Sequence, residues 1–194
     1  MSSPASSICS AGSAARTLSV DAARLRALAA AAPVEGSETL PLGAAVGRVL
    51  ASPLKARSAL PPFDNSAMDG YALRTDDLEG AGPWRLTVGE RIAAGDGRAP
   101  HLPPGCAGRI FTGAPVPPNA DTVVMQENVR RDGDTILLED RPRVGRNIRR
   151  RGEDVDEGET VLTAGVVLTP PRLALLAGCG LSKATFRRRV RVAM

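Results

Sequence analysis

Apolar positions in this chain follow two rhythms. Near the start, Ala22, Leu25, Leu28, Ala29 and Ala32 recur at helical spacing, which predicts a helix over 19–32 with a narrow apolar stripe. Ser19 stands where an N-cap belongs, Asp21 suits the positive end of the helix dipole, and Pro33 stops the run. Such a stripe must pack on something. A second, short helix is predicted over 42–48, followed by an extended run from Val49 to Ala56.

From 57 to 150 the rhythm shortens. Trp84–Val88, Arg109–Thr112, Asp121–Gln126 and Thr135–Glu139 read as strands. Breakers separate them at Gly95-Asp96-Gly97, Pro103-Pro104-Gly105, Pro117-Pro118-Asn119 and Asp132-Gly133-Asp134. The last closes a hairpin between 121–129 and 135–139. No long helical period interrupts this stretch, so it reads as a small antiparallel β domain.

Beyond it, Val161-Leu162 and Val166-Val167-Leu168 flank a turn at Ala164-Gly165. Thr169 is placed to cap a helix that begins at Pro170, carries Leu173, Leu175, Leu176 and Ala177, and ends at Gly178 or Gly180. Arg189-Val190-Arg191-Val192-Ala193-Met194 alternates like the start of a further strand. The pattern as a whole predicts a mostly β chain with a few helices, of α+β class.

Composition narrows the picture. With Gly 20 and Pro 16 in 194 residues the chain is rich in turns, and without a Gly-X-Y period it is not collagen. Aromatics are confined to Phe63, Tyr71, Trp84, Phe111 and Phe186, so Val, Leu, Ile and Ala must build the core. An apolar share of 43% argues against wholesale disorder, and no apolar run is long enough to span a membrane as a helix. Three cysteines without a C-x-x-C pair make neither a disulfide scaffold nor a zinc site. Cys9 is incidental and Cys179 reads as a small buried apolar residue. The single histidine, His101, lies in a Pro-rich loop and reads as exposed and non-catalytic, which also removes multi-histidine metal sites and serine triads. Residues 1–17 are rich in Ser, Ala and Gly and lack a signal-peptide h-region. They read as a disordered tail, with a transit peptide as the alternative.

The net charge of +4 matters less than its distribution. Arginines cluster between Arg141 and Arg151 and again at Arg187, Arg188, Arg189 and Arg191. Glu153, Asp154, Asp156, Glu157 and Glu159 follow the first cluster directly. A nucleic-acid surface more often stays unneutralised and interleaves aromatics, so no nucleic-acid partner is expected.

Three segments carry candidate chemistry. In Pro61-Pro62-Phe63-Asp64-Asn65-Ser66-Ala67-Met68-Asp69-Gly70-Tyr71, prolines stiffen the loop, Asn65 and Ser66 can bond nearby backbone, and Asp69-Gly70 presents a carboxylate on a sharp turn. Oxygen groups of this kind suit a hard cation such as Mg²⁺, although the spacing is not an EF-hand. A plain structured turn is the competing reading. Thr112-Gly113-Ala114-Pro115-Val116-Pro117 follows a strand and offers a hydroxyl and an amide to an oxyanion, or is simply a proline-stiffened strand exit. It is not a P-loop. Asn147-Ile148-Arg149-Arg150-Arg151-Gly152-Glu153-Asp154 can clamp an anion and a metal together, or form a surface salt-bridge network.

Together these segments carry a resemblance. Phe63 through Ala72, Thr112 through Pro117, Asp121-Thr122-Val123-Val124-Met125-Gln126-Glu127, and Asn147 through Asp154 resemble the motifs of the molybdopterin molybdenumtransferases (the MoeA and gephyrin E-domain family), in the family's order and approximate spacing. The resemblance extends from residue 18 onward. It implies molybdenum cofactor biosynthesis: cytoplasmic insertion of molybdate into adenylylated molybdopterin, with Mg²⁺ and release of AMP. It implies an elongated homodimer, in which an N-terminal helix over 18–33 packs on a later α/β domain. An antiparallel β domain, 57–157, would be inserted in a discontinuous linker domain, 34–56 plus 158–188. Asp69, Thr112 and Asp154 fall on family positions of the active cleft, with Asp69 and Asp154 as metal ligands. Asn65, Ser66, Gly113, Arg149 and Arg150 would contact substrate.

By the same resemblance, residues 189–194 begin an α/β domain that completes the cleft from another subunit, and the chain is the front portion of a longer enzyme, inactive alone. The second reading is a non-catalytic dimerisation or partner-binding module that presents half a site. A molybdopterin adenylyltransferase-type protein would be a natural partner. Anion or nucleic-acid binding through the arginines ranks last.

Overall fold

The computed structural model describes residues 17–32, 34–95, 97 and 100–191. In chain order the elements are α1 (Val20–Ala30), β1 (Ser37–Pro41), β2 (Leu54–Lys55), β3 (Asn65–Ser66), β4 (Gly70–Leu73), β5 (Trp84–Ile92), β6 (Cys106–Ile110) and β7 (Thr122–Met125). Then follow β8 (Arg130–Asp132), β9 (Thr135–Leu138), β10 (Ile148–Arg149), β11 (Thr160–Leu162), α2 (Pro170–Gly178) and β12 (Lys183–Arg187). The chain is mostly strands with two helices, and no described helix is long and apolar enough to cross a membrane.

Segments from opposite ends share one core. β1 pairs antiparallel with β12, from Ser37↔Arg187 to Pro41↔Lys183, and β2 pairs antiparallel with β11. Behind them Leu42, Leu50 and Ala56 pack with Leu168, Leu176, Cys179 and Phe186. Burial raises the Cys179 thiol above its ordinary value, as suits an inert core residue. The helix predicted over 42–48 is only a 3₁₀ turn, Leu42–Ala44. Its backbone is taken up elsewhere: Leu42 N–H donates to Ser182 O at 2.9 Å and Gly47 N–H to Leu168 O at 2.8 Å.

α2 starts and stops for different reasons. Thr169 occupies the N-cap position but makes no side-chain bond. Pro170 and Pro171 follow, and with no N–H on either, two orphan donors are removed rather than capped. At the other end, Gly180 N–H donates to Ala177 O and Leu181 N–H to Leu176 O, both at 3.0 Å, closing a Schellman motif.

The middle of the chain forms a six-stranded sheet in the order β7-β4-β6-β5-β9-β8. Leu73, Leu78, Leu86, Ile136 and Leu138 fill one cluster against it, and Ile92, Leu102, Ile110 and Val123 another. The sheet is mixed, because β5 and β6 run parallel. The segment over 93–105 supplies the dozen or so residues that a parallel crossover needs. The predicted hairpin exists with a different first strand: Asp132 faces Thr135 across Gly133-Asp134, joining β8 to β9. A 3₁₀ turn at Gln126–Asn128 breaks the 121–129 run, and its first half, β7, pairs with β4 instead. Those two strands approach closely. A Cβ on Gly70 would lie 2.0 Å from Val124 O, so no larger residue fits.

The ends of the chain differ from expectation. Ser19 does cap α1, its Oγ accepting from Ala22 N–H at 3.2 Å. Yet no α1 residue is buried, and Leu25 and Leu28 are 67% and 60% exposed. The stripe has no partner among the described residues. β12 ends at Arg187, so the strand read over 189–194 is not seen to 191, and 192–194 lie outside the described residues. The tail reading over 1–17 lies outside them as well, apart from residue 17.

Candidate functional site

Three chain segments are strapped together around β3. On one side Ser66 and Asn65 pair with Ile148 and Arg149 of β10. On the other, Ser66 N–H donates to Ala114 O at 3.0 Å, Gly113 N–H to Ser66 O at 2.8 Å, and Val116 N–H to Asp64 O at 3.0 Å. Two short strands and a loop thereby bring the three candidate motifs to one place.

Ser66 shapes the loop. It is 1% exposed, and its hydroxyl donates to Met68 O at 2.6 Å while accepting from Met68 N–H. Asn65 is likewise buried. Both therefore sit behind the loop, and what they present to solvent is the next turn. There Asp69 Oδ1 accepts from Thr112 N–H and from the Thr112 hydroxyl, each at 2.8 Å. These bonds, the backbone one foremost, hold the Asp69 carboxyl below its ordinary value. Asp69 and Thr112 are both exposed, and Asp69 Oδ2 has no hydrogen bond among the described residues. Gly113, at φ +80°, turns the backbone so that its N–H points back to Ser66 and not outward.

The arginine segment is a network. Arg149 donates to Asp154 Oδ1 at 2.5 Å and to Glu153 Oε1 at 3.3 Å, which raises the Arg149 value further. Arg150 reaches Asp64 Oδ2 at 2.6 Å, and Arg151 N–H donates to Asp64 Oδ1 at 2.8 Å. Partial burial pushes the Asp64 carboxyl up, but these two bonds outweigh it and leave it below the usual range. Asp154 is anchored through its N–H to Leu60 O at 2.9 Å. Asp69 and Asp154 stand on different turns and share no hydrogen-bond partner. Among the described residues no three His, Cys, Asp or Glu side chains gather as a metal cage.

Two residues that pattern reading did not single out complete the surroundings. Asp64 ties the first motif to the third. Its signal in the sequence was its place inside the motif, but its partner Arg150 is remote in the chain. Arg109 donates to Gly70 O at 2.9 Å and to Gln126 Oε1 at 2.5 Å, and lies over the Tyr71 ring at 5.2 Å. Gln126 N–H in turn donates to Asp69 O at 3.1 Å. The Asp69-Gly70 turn is thus braced from below. A separate groove of about 510 Å³ beyond β7 is lined by Glu127, Arg130, Arg141 and Arg146 among others, and by none of the candidate site residues. The Asp69–Thr112 pair lies on open surface instead.

The residues 18–180 match the family described as the MoeA N-terminal region (domain I and II). Molybdopterin molybdenumtransferase 2 of Mycobacterium tuberculosis is 44% identical over 157 residues, covering 79% of this chain and 39% of its own length. Molybdopterin molybdenumtransferase of Haemophilus influenzae is 39% identical over 176 residues, covering 90% and 43%. The crystal structure of the molybdopterin biosynthesis moeA protein from Pyrococcus horikoshii OT3 superimposes with a TM-score of 0.73 at 40% identity, over 80% of this chain and 42% of that one. The chain thus spans about two-fifths of the length of the curated relatives it matches. With its fold, its three converging motifs and these similarities in agreement, the chain belongs to the MoeA N-terminal family.

Proposed function

We propose that this chain supplies one wall of a site in which molybdate is inserted into adenylylated molybdopterin with release of AMP. The observation that carries the reading is the Asp69–Thr112 pair: an exposed, firmly ionised carboxylate with one oxygen fixed and the other open. Membership of the MoeA N-terminal family, with relatives named molybdopterin molybdenumtransferase, supports the reaction class.

On this reading Thr112 orients Asp69, and Arg149 and Arg150 exchange their carboxylate partners for anionic substrate oxygens, the exchange of one charge-assisted pair for another. Hard, exposed carboxylates at Asp69 and Asp154 are of a kind that suits Mg²⁺, which is commonly held by one or two carboxylates together with waters and substrate phosphates. Bound there, Mg²⁺ would neutralise oxyanion charge. Ser66 and Asn65 act by holding the loop, and Gly113 by turning the chain.

Because the pair lies on open surface, the opposite wall comes from elsewhere: a further domain, a second subunit of a homodimer, or an adenylyltransferase-type partner. That same openness favours a second reading, a non-catalytic module that presents half a site. A molybdate-insertion assay with adenylylated molybdopterin separates the two. Asp69→Asn placed in a complete homologous enzyme should abolish insertion, and unchanged insertion would sink the Asp69 role. The 194-residue chain should show no turnover without a partner.

A further inference from the structure

The parallel pairing of β5 and β6 sets two guanidinium groups side by side. Arg91 lies directly opposite Arg109, and Arg109 lies opposite Tyr71 on β4. Phe111 follows two residues after Arg109, so the residues meet on one face. Both guanidinium carbons sit 4.6 Å from the centre of the Phe111 ring. A ring contact of this kind orients the planar fork and leaves its N–H edge available.

The two arginines are differently engaged. Arg109 is taken up by Gly70 O and Gln126, and its charge acts on Asp69. The Arg91 side chain is exposed, and among the described residues its guanidinium forms no hydrogen bond and no ion pair. It stands apart from Arg149, Arg150 and Arg151, whose guanidinium groups all rest on carboxylates. Like charges on neighbouring strands repel. Here that repulsion is left standing beside Thr112, the residue that follows the shared ring and binds Asp69. An anion placed over the pair would relieve it.

We propose that Arg91, together with Arg109, forms a shelf that binds a tetrahedral oxyanion next to the Asp69–Thr112 pair, and that Arg91 is a substrate-binding residue. The shared chemistry is an anionic tetrahedral oxo group, which a phosphoryl group of the substrate and molybdate both present. Its assignment to a substrate rests on the function proposed above, whereas anion binding by the shelf does not.

The test is a pair of titrations of the 194-residue chain, one with inorganic phosphate and one with molybdate, at constant ionic strength, following backbone amides by NMR. Saturable shifts are expected at Phe111 and Thr112. Arg91→Gln should weaken binding about tenfold, Arg91→Lys less, and Arg130→Gln on the β8 edge not at all. Tighter phosphate binding assigns the shelf to a phosphoryl group, and tighter molybdate binding assigns it to the metal oxyanion. No saturable shift with either anion, or undiminished affinity in Arg91→Gln, overturns the proposal. A failed insertion assay with anion binding intact would count against the proposed reaction and not against the shelf.

Discussion

Thr112 gives two hydrogen bonds to a single oxygen of Asp69, one from its backbone and one from its side chain, both 2.8 Å long. The pair joins the turn before β4 to the strand exit after β6, and so fixes where the charge stands.

That geometry makes a prediction about ionisation. Thr112→Val deletes the hydroxyl donor but keeps the N–H, which is the larger influence on Asp69. The Asp69 pKa should therefore rise part of the way toward the free aspartate value of about 3.9. Carboxyl-carbon NMR across an acid titration reads it directly, and an unmoved midpoint would show that the hydroxyl contributes nothing.

Asp64 predicts a pH dependence of stability. Its folded value is depressed by Arg151 N–H and Arg150 against the opposing effect of burial. A depressed carboxylate stabilises the fold above its unfolded value of about 3.9, and that contribution is lost as pH falls through the lower folded value. Urea midpoints should accordingly fall more steeply with acid in the wild type than in Asp64→Asn. Parallel curves for the two proteins would contradict the assignment.

Gly70 is a packing prediction. With Val124 O where a Cβ would stand, Gly70→Ala must part β4 from β7. The expected cost is about 2–3 kcal/mol in urea unfolding. A loss smaller than about 0.5 kcal/mol, the scale of ordinary surface substitutions, would mean the strands are more loosely apposed than described.

The helix α1 should exchange its amide hydrogens quickly. It buries no side chain, and a helix of 11 residues is marginal without tertiary support. Amides of β4 and β6, inside the sheet, should exchange far more slowly. Strong protection over Val20–Ala30 in a monomer would falsify the view that its apolar stripe is unpartnered.

Much of this is legible in the sequence alone. Ser19, the Pro170 start of α2 and the Asp132-Gly133-Asp134 turn act locally, so short-range rules found them. The three motifs were visible as unusual runs of polar and turn residues. What stayed hidden was long-range: Asp64 meeting Arg150, Arg109 bracing Gly70, and the parallel β5–β6 pair that brings Arg91 to Arg109. Strand partners are chosen by packing across the sheet, and the 3.6- or 2-residue period of one segment carries no record of its neighbour. The failed helix at 42–48 has the same origin, since Ser182 and Leu168 claimed its backbone.

The backbone at the base of the sheet-bearing segment has a practical consequence. Ala56 N–H donates to Glu159 O, and Gly158 N–H donates back to Ala56 O, both at 2.9 Å. The chain leaves the core shared by its two ends through Arg57 and Ser58, whose N–H groups both donate to Cys179 O, and returns to it beside its point of departure. The closure entropy of so short a gap is small, so a brief linker from 56 to 159 should close the remaining chain, at the cost of the Leu60 and Val155 packing against its core, and the bonds exchanged between Leu60 and Val155 should keep the ends of the excised 57–158 together. That seam is the expected place to cut, transplant or permute the molecule.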